Sequence, residues 1–254
     1  MARRHTPRRA TQRRRRIDLE AWLERVREHP AEEPAFFRAL LDATVHVHAP
    51  ASDDSGKVRL VQFRHPEGFA AIPFFTSMEK AQIAASPAVR ILTLSGRDLL
   101  AGTRGATLML NPNDGGAVLY PEEIAALLQS GFMPRIETLA RGALQVRIAH
   151  AVPAWLSAAV RRSVARAGFI EAAYVLESYS TDACDTPAGL VIYLIAAPTF
   201  AERAARLVTA AVQPLCSDAD PVIDVMIHDA AQPLPAALAR GEILPIYRRV
   251  AGTQ

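Results

Sequence analysis

Leu108-Met-Leu-Asn-Pro-Asn-Asp-Gly-Gly-Ala-Val-Leu-Tyr-Pro-Glu-Glu-Ile-Ala-Ala-Leu-Leu-Gln-Ser-Gly131 is the stretch on which the reading of this chain turns. A short apolar strand ends at Asn111-Pro112. There the Asn side chain can hydrogen-bond its own backbone two residues on, and Pro sets φ for a turn. Asn113-Asp114-Gly115-Gly116 continues the turn. Pro121 suits the first position of a helix, and Gly131 suits the left-handed residue that ends it. Glu122 and Glu123 fall in the first helical turn, where the positive end of the dipole favours an acid by roughly 0.3–1 kcal/mol each. A catalytic carboxylate pair is the sharper alternative for these two. Neighbouring helical side chains diverge by about 100°, however, so the two cannot readily share one substrate, and the structural role is preferred.

Working outward from this stretch, the amino-terminal half mixes strands with short helices. Asp18 is an N-cap for a helix to about His29, with Leu19, Trp22, Leu23 and Val26 on one face, and a second helix covers Ala35 to Asp42. Strands are expected over Thr44–His48, Val58–Phe63, Phe69–Phe75, Val89–Leu94 and Thr107–Leu110. Thr76 or Ser77 caps a helix over Met78–Ala85, and Ser95–Ala101 forms another. Gly131-Phe132-Met133-Pro134 reads as a hinge. Beyond it the pattern is strand (Ala143–Ala149), helix from Pro153, strand (Phe169–Glu177), polar loop, buried strand (Leu190–Ile195), helix (Phe200–Val212) and strand (Pro221–Ile227). The predicted class is α+β in two domains. Residues 17–131 form a mixed α/β domain preceded by a helix at 18–29, and residues 135–250 form a ferredoxin-like βαββαβ domain.

The amino-terminal half resembles the SseB family, the "enhanced serine sensitivity" proteins. The residues that carry the likeness are Phe37-Arg-Ala-Leu-Leu-Asp-Ala-Thr-Val45, Ile72-Pro-Phe-Phe-Thr-Ser77, the Asn111-Pro112 turn and Pro121-Glu-Glu-Ile124. In the second half Ala172-Ala-Tyr-Val-Leu176, the apolar strand near Ile192, Ile223-Asp224-Val225 and Leu244-Pro-Ile-Tyr-Arg248 look like the family's carboxy-terminal domain. The motifs are individually weak, and their order across both halves gives the signal. The basic tail and the helix after it fall outside the pattern. The resemblance implies a link to serine sensitivity in bacteria and no defined chemistry.

Net charge hides an asymmetry. Arg3, Arg4, Arg8, Arg9, Arg13, Arg14, Arg15 and Arg16 crowd an acid-free segment, residues 1–16, that is expected to be disordered. Removing those eight from the total of 29 leaves 21 basic against 26 acidic residues, so the body is net acidic while the overall pI is about 9.1. The tail can neutralise phosphates in a salt-dependent manner, but it lacks the interleaved aromatics of a base-stacking platform. An acidic protein surface is another partner it would suit. No apolar run is long enough to span a bilayer and no greasy signal core follows the basic terminus, so a cytoplasmic protein without a membrane partner is expected. Cys184 and Cys216 have no metal-type spacing and read as buried or idle thiols.

Candidate chemistry is sparse. His46 and His48 share one face of a strand and could hold zinc with Asp53, Asp54 or His65. The preferred reading puts them on the solvent face, with Val45 and Val47 facing the core. Phe74-Phe75-Thr76-Ser77 could present a hydroxyl and backbone N–H groups to an anion, though an ordinary N-cap accounts for it. No nucleophile elbow, P-loop or dinucleotide fingerprint is present. With no cofactor, no metal and no catalytic residue indicated, the expectation is a non-enzymatic module that binds an unknown protein partner. Phe74, Phe75, Asn111, Pro112 and Tyr120 are the candidate exposed surface. Nucleic-acid binding through the arginine tail is the alternative, and a cryptic enzyme or metalloprotein at His46 and His48 is a third.

Overall fold

A computed structural model of the chain describes residues 17–52, 56, 58–134, 145–179 and 187–249. It is an α+β protein built on two separate sheets. The amino-terminal half opens with α1 (Leu19–Glu28) and α2 (Glu33–Asp42), followed by β1 (Thr44–Pro50), β2 (Phe63–Arg64) and β3 (Ala70–Phe75). Then come α3 (Met78–Ile83), β4 (Val89–Ser95), α4 (Gly96–Gly102), β5 (Leu108–Leu110), β6 (Val118–Leu119) and α5 (Pro121–Ser130). The strands lie in the order β4-β1-β3-β5-β6, with β2 also on β3, and β3 and β5 run parallel. Side-chain oxygens of Asp18, Ser77 and Ser95 accept from the first-turn N–H groups of α1, α3 and α4, satisfying donors that have no intrahelical partner.

The core of this half forms where α2 lays Phe36, Phe37, Leu40 and Leu41 against Val45 and Val47 of β1, Leu108 and Leu110 of β5, and Ile124 and Leu127 of α5. Leu19 is buried in the same cluster, with Trp22, Leu23 and Val26 packed at its edge, so α1 is part of this body. Two expectations change. The strand expected over Val58–Phe63 survives only at Phe63; upstream, a single hydrogen bond from the Val61 N–H to the His48 carbonyl stands in for a ladder. A strand that the sequence did not signal, β6, is two residues long and is held by the turn before it.

The carboxy-terminal half contains β7 (Gln145–Ile148), α6 (Ala154–Val164), β8 (Ile170–Tyr179), β9 (Pro187–Ala196), α7 (Ala201–Val212), β10 (Ile223–Asp229), α8 (Ala236–Ala239) and β11 (Tyr247–Arg248). Its βαββαβ order along the chain is the expected one, but the ferredoxin-like sheet does not form. That sheet requires a strand inserted between the two parallel strands of its second βαβ unit. Here β9 and β10 pair directly and in parallel, while β7 sits on the far side, antiparallel to β8. The order is β10-β9-β8-β11. Leu156, Val160 and Val164 of α6 and Leu207 and Val208 of α7 cover one face. On the other face Tyr174, Leu176, Val191, Tyr193 and Ile195 pack beneath Leu238. β9 is therefore buried on both sides, as its unbroken apolar run indicates.

Tight backbone approach at the Asn111 turn sets one sharp requirement. A Cβ on Gly116 would lie 1.7 Å from the Leu110 carbonyl oxygen. Gly116→Ala should therefore lower stability by about 2–3 kcal/mol, as overpacking against backbone does. Gly115→Ala, which meets no neighbour but must hold φ +61°, should cost less. Urea midpoints of the two variants check the order.

Candidate functional site

The two motif segments of the amino-terminal half meet. Asn111 is the single non-glycine with positive φ among the described residues, at 42°, a conformation that Asn tolerates through local side-chain hydrogen bonding. Its N–H donates to the Phe74 carbonyl at 2.8 Å. Its side-chain amide accepts from the Thr76 N–H at 3.1 Å and donates to the Thr76 hydroxyl at 2.8 Å. The Thr76 hydroxyl in turn donates to Glu20 of α1. Glu20 also accepts from Lys80 Nζ at 2.5 Å, and Lys80 reaches Asp114 in the turn at 2.7 Å. Arg27 of α1 closes the ring with a bond to the Asp114 carbonyl at 3.2 Å.

Beside this ring lies a cleft of about 160 Å3. Leu23 and Val26 of α1, Phe36 and Phe37 of α2, and Leu110 and Ala117 form its apolar walls, with Arg27, Glu33 and Asp114 at the rim. The rim charges are engaged with protein groups, so the cleft offers shape and apolar surface more than a bare charge.

A second feature joins the two halves. Glu122 of α5 accepts from Arg203 of α7 at 2.7 and 3.3 Å, and Glu123 accepts from Arg206 at 2.9 Å. Glu123 is fully buried and also caps its own helix, accepting from the Tyr120 N–H at 3.0 Å. Burial pushes its carboxyl above the ordinary range, and the Arg206 guanidinium opposes that rise. Burial also acts to lower Arg206, yet its two carboxylate neighbours, Glu123 and Glu202, raise it overall. The two side chains meet in a dehydrated seam, where their mutual contact offsets part of the cost of burying each. The sequence reading placed both acids on the helix dipole and missed this role. The basic side of α7, with Arg203 and Arg206 spaced to face one partner helix, was the available signal.

The expected binding surface is corrected by burial. Phe74, Phe75, Asn111 and Tyr120 are all enclosed, and of the five only Pro112 is partly exposed. The phenylalanines end a strand inside the sheet, and Asn111 is spent on Thr76. The expectation of a solvent face for His46 and His48 also fails: both are buried, and α3 packs against that side of β1. The His48 Nε2–H donates to the Ala81 carbonyl at 2.8 Å, and His46 Nδ1 lies 3.0 Å from the Thr93 hydroxyl. Val45 and Val47 do face the core. His65 stacks on Phe69 at 4.5 Å. Among the described residues no group of three potential ligands could hold a metal, and Asp53 and Asp54 lie outside them. Ser77, not Thr76, caps α3. Of the two alternatives for Cys216, buried or idle, burial fails, because its thiol is free and exposed, while Cys184 lies outside the described residues. The arginines of residues 1–16 are likewise outside them. No described helix is long and apolar enough to cross a membrane.

With this geometry in place, comparison with known proteins defines the class. Residues 19–126 match the family model described as the SseB protein N-terminal domain. Over 117 residues the chain is 36% identical to Protein SseB of Escherichia coli (strain K12), and the alignment covers 44% of this chain and 45% of that protein. Protein SseB of Shigella flexneri matches to the same extent. The amino-terminal half of the chain thus carries the N-terminal domain of the SseB family. The matched region spans about half the length of these curated relatives. No solved structure matches significantly. The family match begins at Leu19, so α1 lies within the family pattern rather than outside it, in keeping with its Glu20 and Arg27 contacts.

Two measurements follow from these contacts. Arg206→Ala strands a buried carboxylate and should cost about 3–5 kcal/mol, whereas Arg203→Ala, at a partly exposed pair, should cost about 1 kcal/mol. Chemical denaturation of both variants tests the ranking.

The second measurement concerns the Glu20–Lys80–Asp114 ring. The Lys80 contact holds the Asp114 carboxyl below its ordinary 3.8, so the stability this gives is present above that value and lost as pH falls through the depressed one. Burial acts to lower Lys80, but bonds to Asp114 and Glu20 raise it above 10.5; its contribution is present below 10.5 and lost as pH rises past the raised value. Lys80→Met should flatten both limbs of the curve of unfolding midpoint against pH.

Proposed function

We propose that this SseB-family protein acts by binding another protein, and that the contact is made at the cleft between α1, α2 and the Asn111 turn. The observation that carries the reading is the composition of that cleft. Apolar side chains line a concavity whose rim charges are already paired, which suits an apolar anchor residue from a partner better than a reacting substrate. The polar groups of the neighbouring ring are likewise committed to one another, so none is poised as a nucleophile with its base. On this reading, a role in serine sensitivity would be exercised through the partner and not through chemistry on serine itself.

Val26 lies in the wall, partly exposed on α1, so Val26→Lys fills the cleft with a charged chain without disturbing the buried residues. A photo-crosslinking side chain at Leu23 in the full-length protein should capture a defined protein in native lysate, and Val26→Lys should reduce that capture at least tenfold. Glu24→Ala, on the exposed side of the same helix, should leave it intact. Equal capture by Val26→Lys and wild type would remove the cleft from the reading. Capture that vanishes with nuclease, or on deletion of residues 1–16, would transfer function to the arginine tail.

A further inference from the structure

The face of the carboxy-terminal sheet turned away from α6 and α7 is incompletely covered. Toward the Ala172 end of β8 a cleft of about 380 Å3 opens. Ala172, Ile195, Ala230 and Leu234 are its apolar walls, and the fully buried Tyr174 contributes to its lining. This volume is in the range of small-molecule sites.

The charges at its mouth are committed unequally. Arg249 donates to Glu171 at 3.4 Å and to the Gly168 carbonyl. Arg248 lies opposite Ala172 in the β11–β8 pairing, and its one hydrogen bond among the described residues runs to the Tyr174 hydroxyl at 3.3 Å. It has no carboxylate partner among them. A guanidinium offers five N–H donors, and a neutral phenol occupies one.

The backbone explains the division. The β8–β9 register slips between Ile170 and Ala172, which makes Glu171 the extra residue of a bulge. A bulge re-aims the side chain it carries. Here Glu171 is the partner of Arg249, and Arg248 stays available beside the cleft.

We infer that this cleft binds a small organic monocarboxylate, with the carboxylate on the Arg248 guanidinium, which Tyr174 positions, and the hydrocarbon portion against Ala172, Ile195, Ala230 and Leu234. The planar fork of an arginine matches a carboxylate in a two-point contact, and apolar surroundings strengthen that contact. The buried Tyr174 oxygen accepts from Arg248 and so holds the guanidinium beside the cleft. Two arginines and one glutamate leave a single net positive charge at the mouth, which suits a monoanion better than a doubly charged phosphate. The site lies in the other half of the molecule from the cleft of the proposed protein contact, so the two readings stand or fall separately.

The test is a titration of amide 1H–15N shifts in the full-length protein with hexanoate, hexanamide and inorganic phosphate. Hexanoate should bind saturably with a Kd on the order of 1 mM or tighter, given its few atoms, and should move the signals of Ala172, Ala230 and Leu234. Hexanamide and phosphate should each bind at least tenfold more weakly. Arg248 is exposed, so Arg248→Gln should keep the wild-type spectrum elsewhere while weakening hexanoate at least tenfold. Glu171→Gln removes the one negative charge at the mouth and should tighten hexanoate at least twofold. Absence of saturation, equal binding of hexanamide or phosphate, or unchanged affinity in Arg248→Gln would each overturn the proposal.

Discussion

The amino-terminal half depends on the reciprocal bond between Asn111 and Thr76. Two strands that run parallel, β3 and β5, must end together, and beyond their last residues each leaves backbone groups without a ladder. Asn111 meets both needs by entering the left-handed region, returning its N–H to Phe74 and closing its side-chain amide on Thr76. Buried amides are costly unless fully bonded, so this geometry has little freedom. With Thr76 fixed, its hydroxyl meets Glu20, and the ring through Lys80, Asp114 and Arg27 assembles around it. The adjacent cleft takes its shape from the same turn.

The two halves use different means to hold themselves together. Within each, apolar packing dominates, and the helices cover the sheet in the way their periodicity requires. Between them, α5 faces α7 through two ion pairs, one partly exposed and one buried. Such a seam contributes little net attraction compared with an apolar contact of the same size, because dehydration of the charges offsets most of their Coulomb gain. It does impose register: each arginine has one acceptor on α5, and a shift by one helical turn would leave Glu123 buried and unpaired.

Local signals in the sequence carried far. The Pro121 helix start and the Gly131 stop appear as read, with Gly131 at φ 69°, and the chain does turn at Asn111-Pro112, although the Asn111 side chain bonds Thr76 and not its own backbone two residues on. These features are decided by a few neighbouring residues. What lay beyond the sequence was decided by pairing at a distance. The chain order of the carboxy-terminal elements is compatible with more than one sheet order, and nothing local places β7 outside β8 instead of between β9 and β10. The histidines of β1 alternate with valines in a manner that suggests a wet face. Only the docking of α3 and the pairing with β4 reveal that the face is dry and that each imidazole lies beside an oxygen. For the same reason Phe74 and Phe75 could be picked out by motif but not assigned a side. The cleft at the Asn111 turn was legible as a place, through Asn111 itself, while its apolar walls come from two helices far away in sequence.

The contacts of α1 have a consequence for biosynthesis. Glu20 and Arg27 are made early, yet the groups that receive them, Thr76, Lys80 and Asp114, follow 56, 60 and 87 residues later. A ribosome adding residues one by one presents this helix, with Trp22, Leu23 and Val26 along its side, well before any surface exists to dock it. Contacts of such wide separation form late and slowly, and exposed apolar surface in the interval attracts chaperones or neighbouring chains. Until Asp114 has emerged, α1 accordingly lacks part of the surface that docks it.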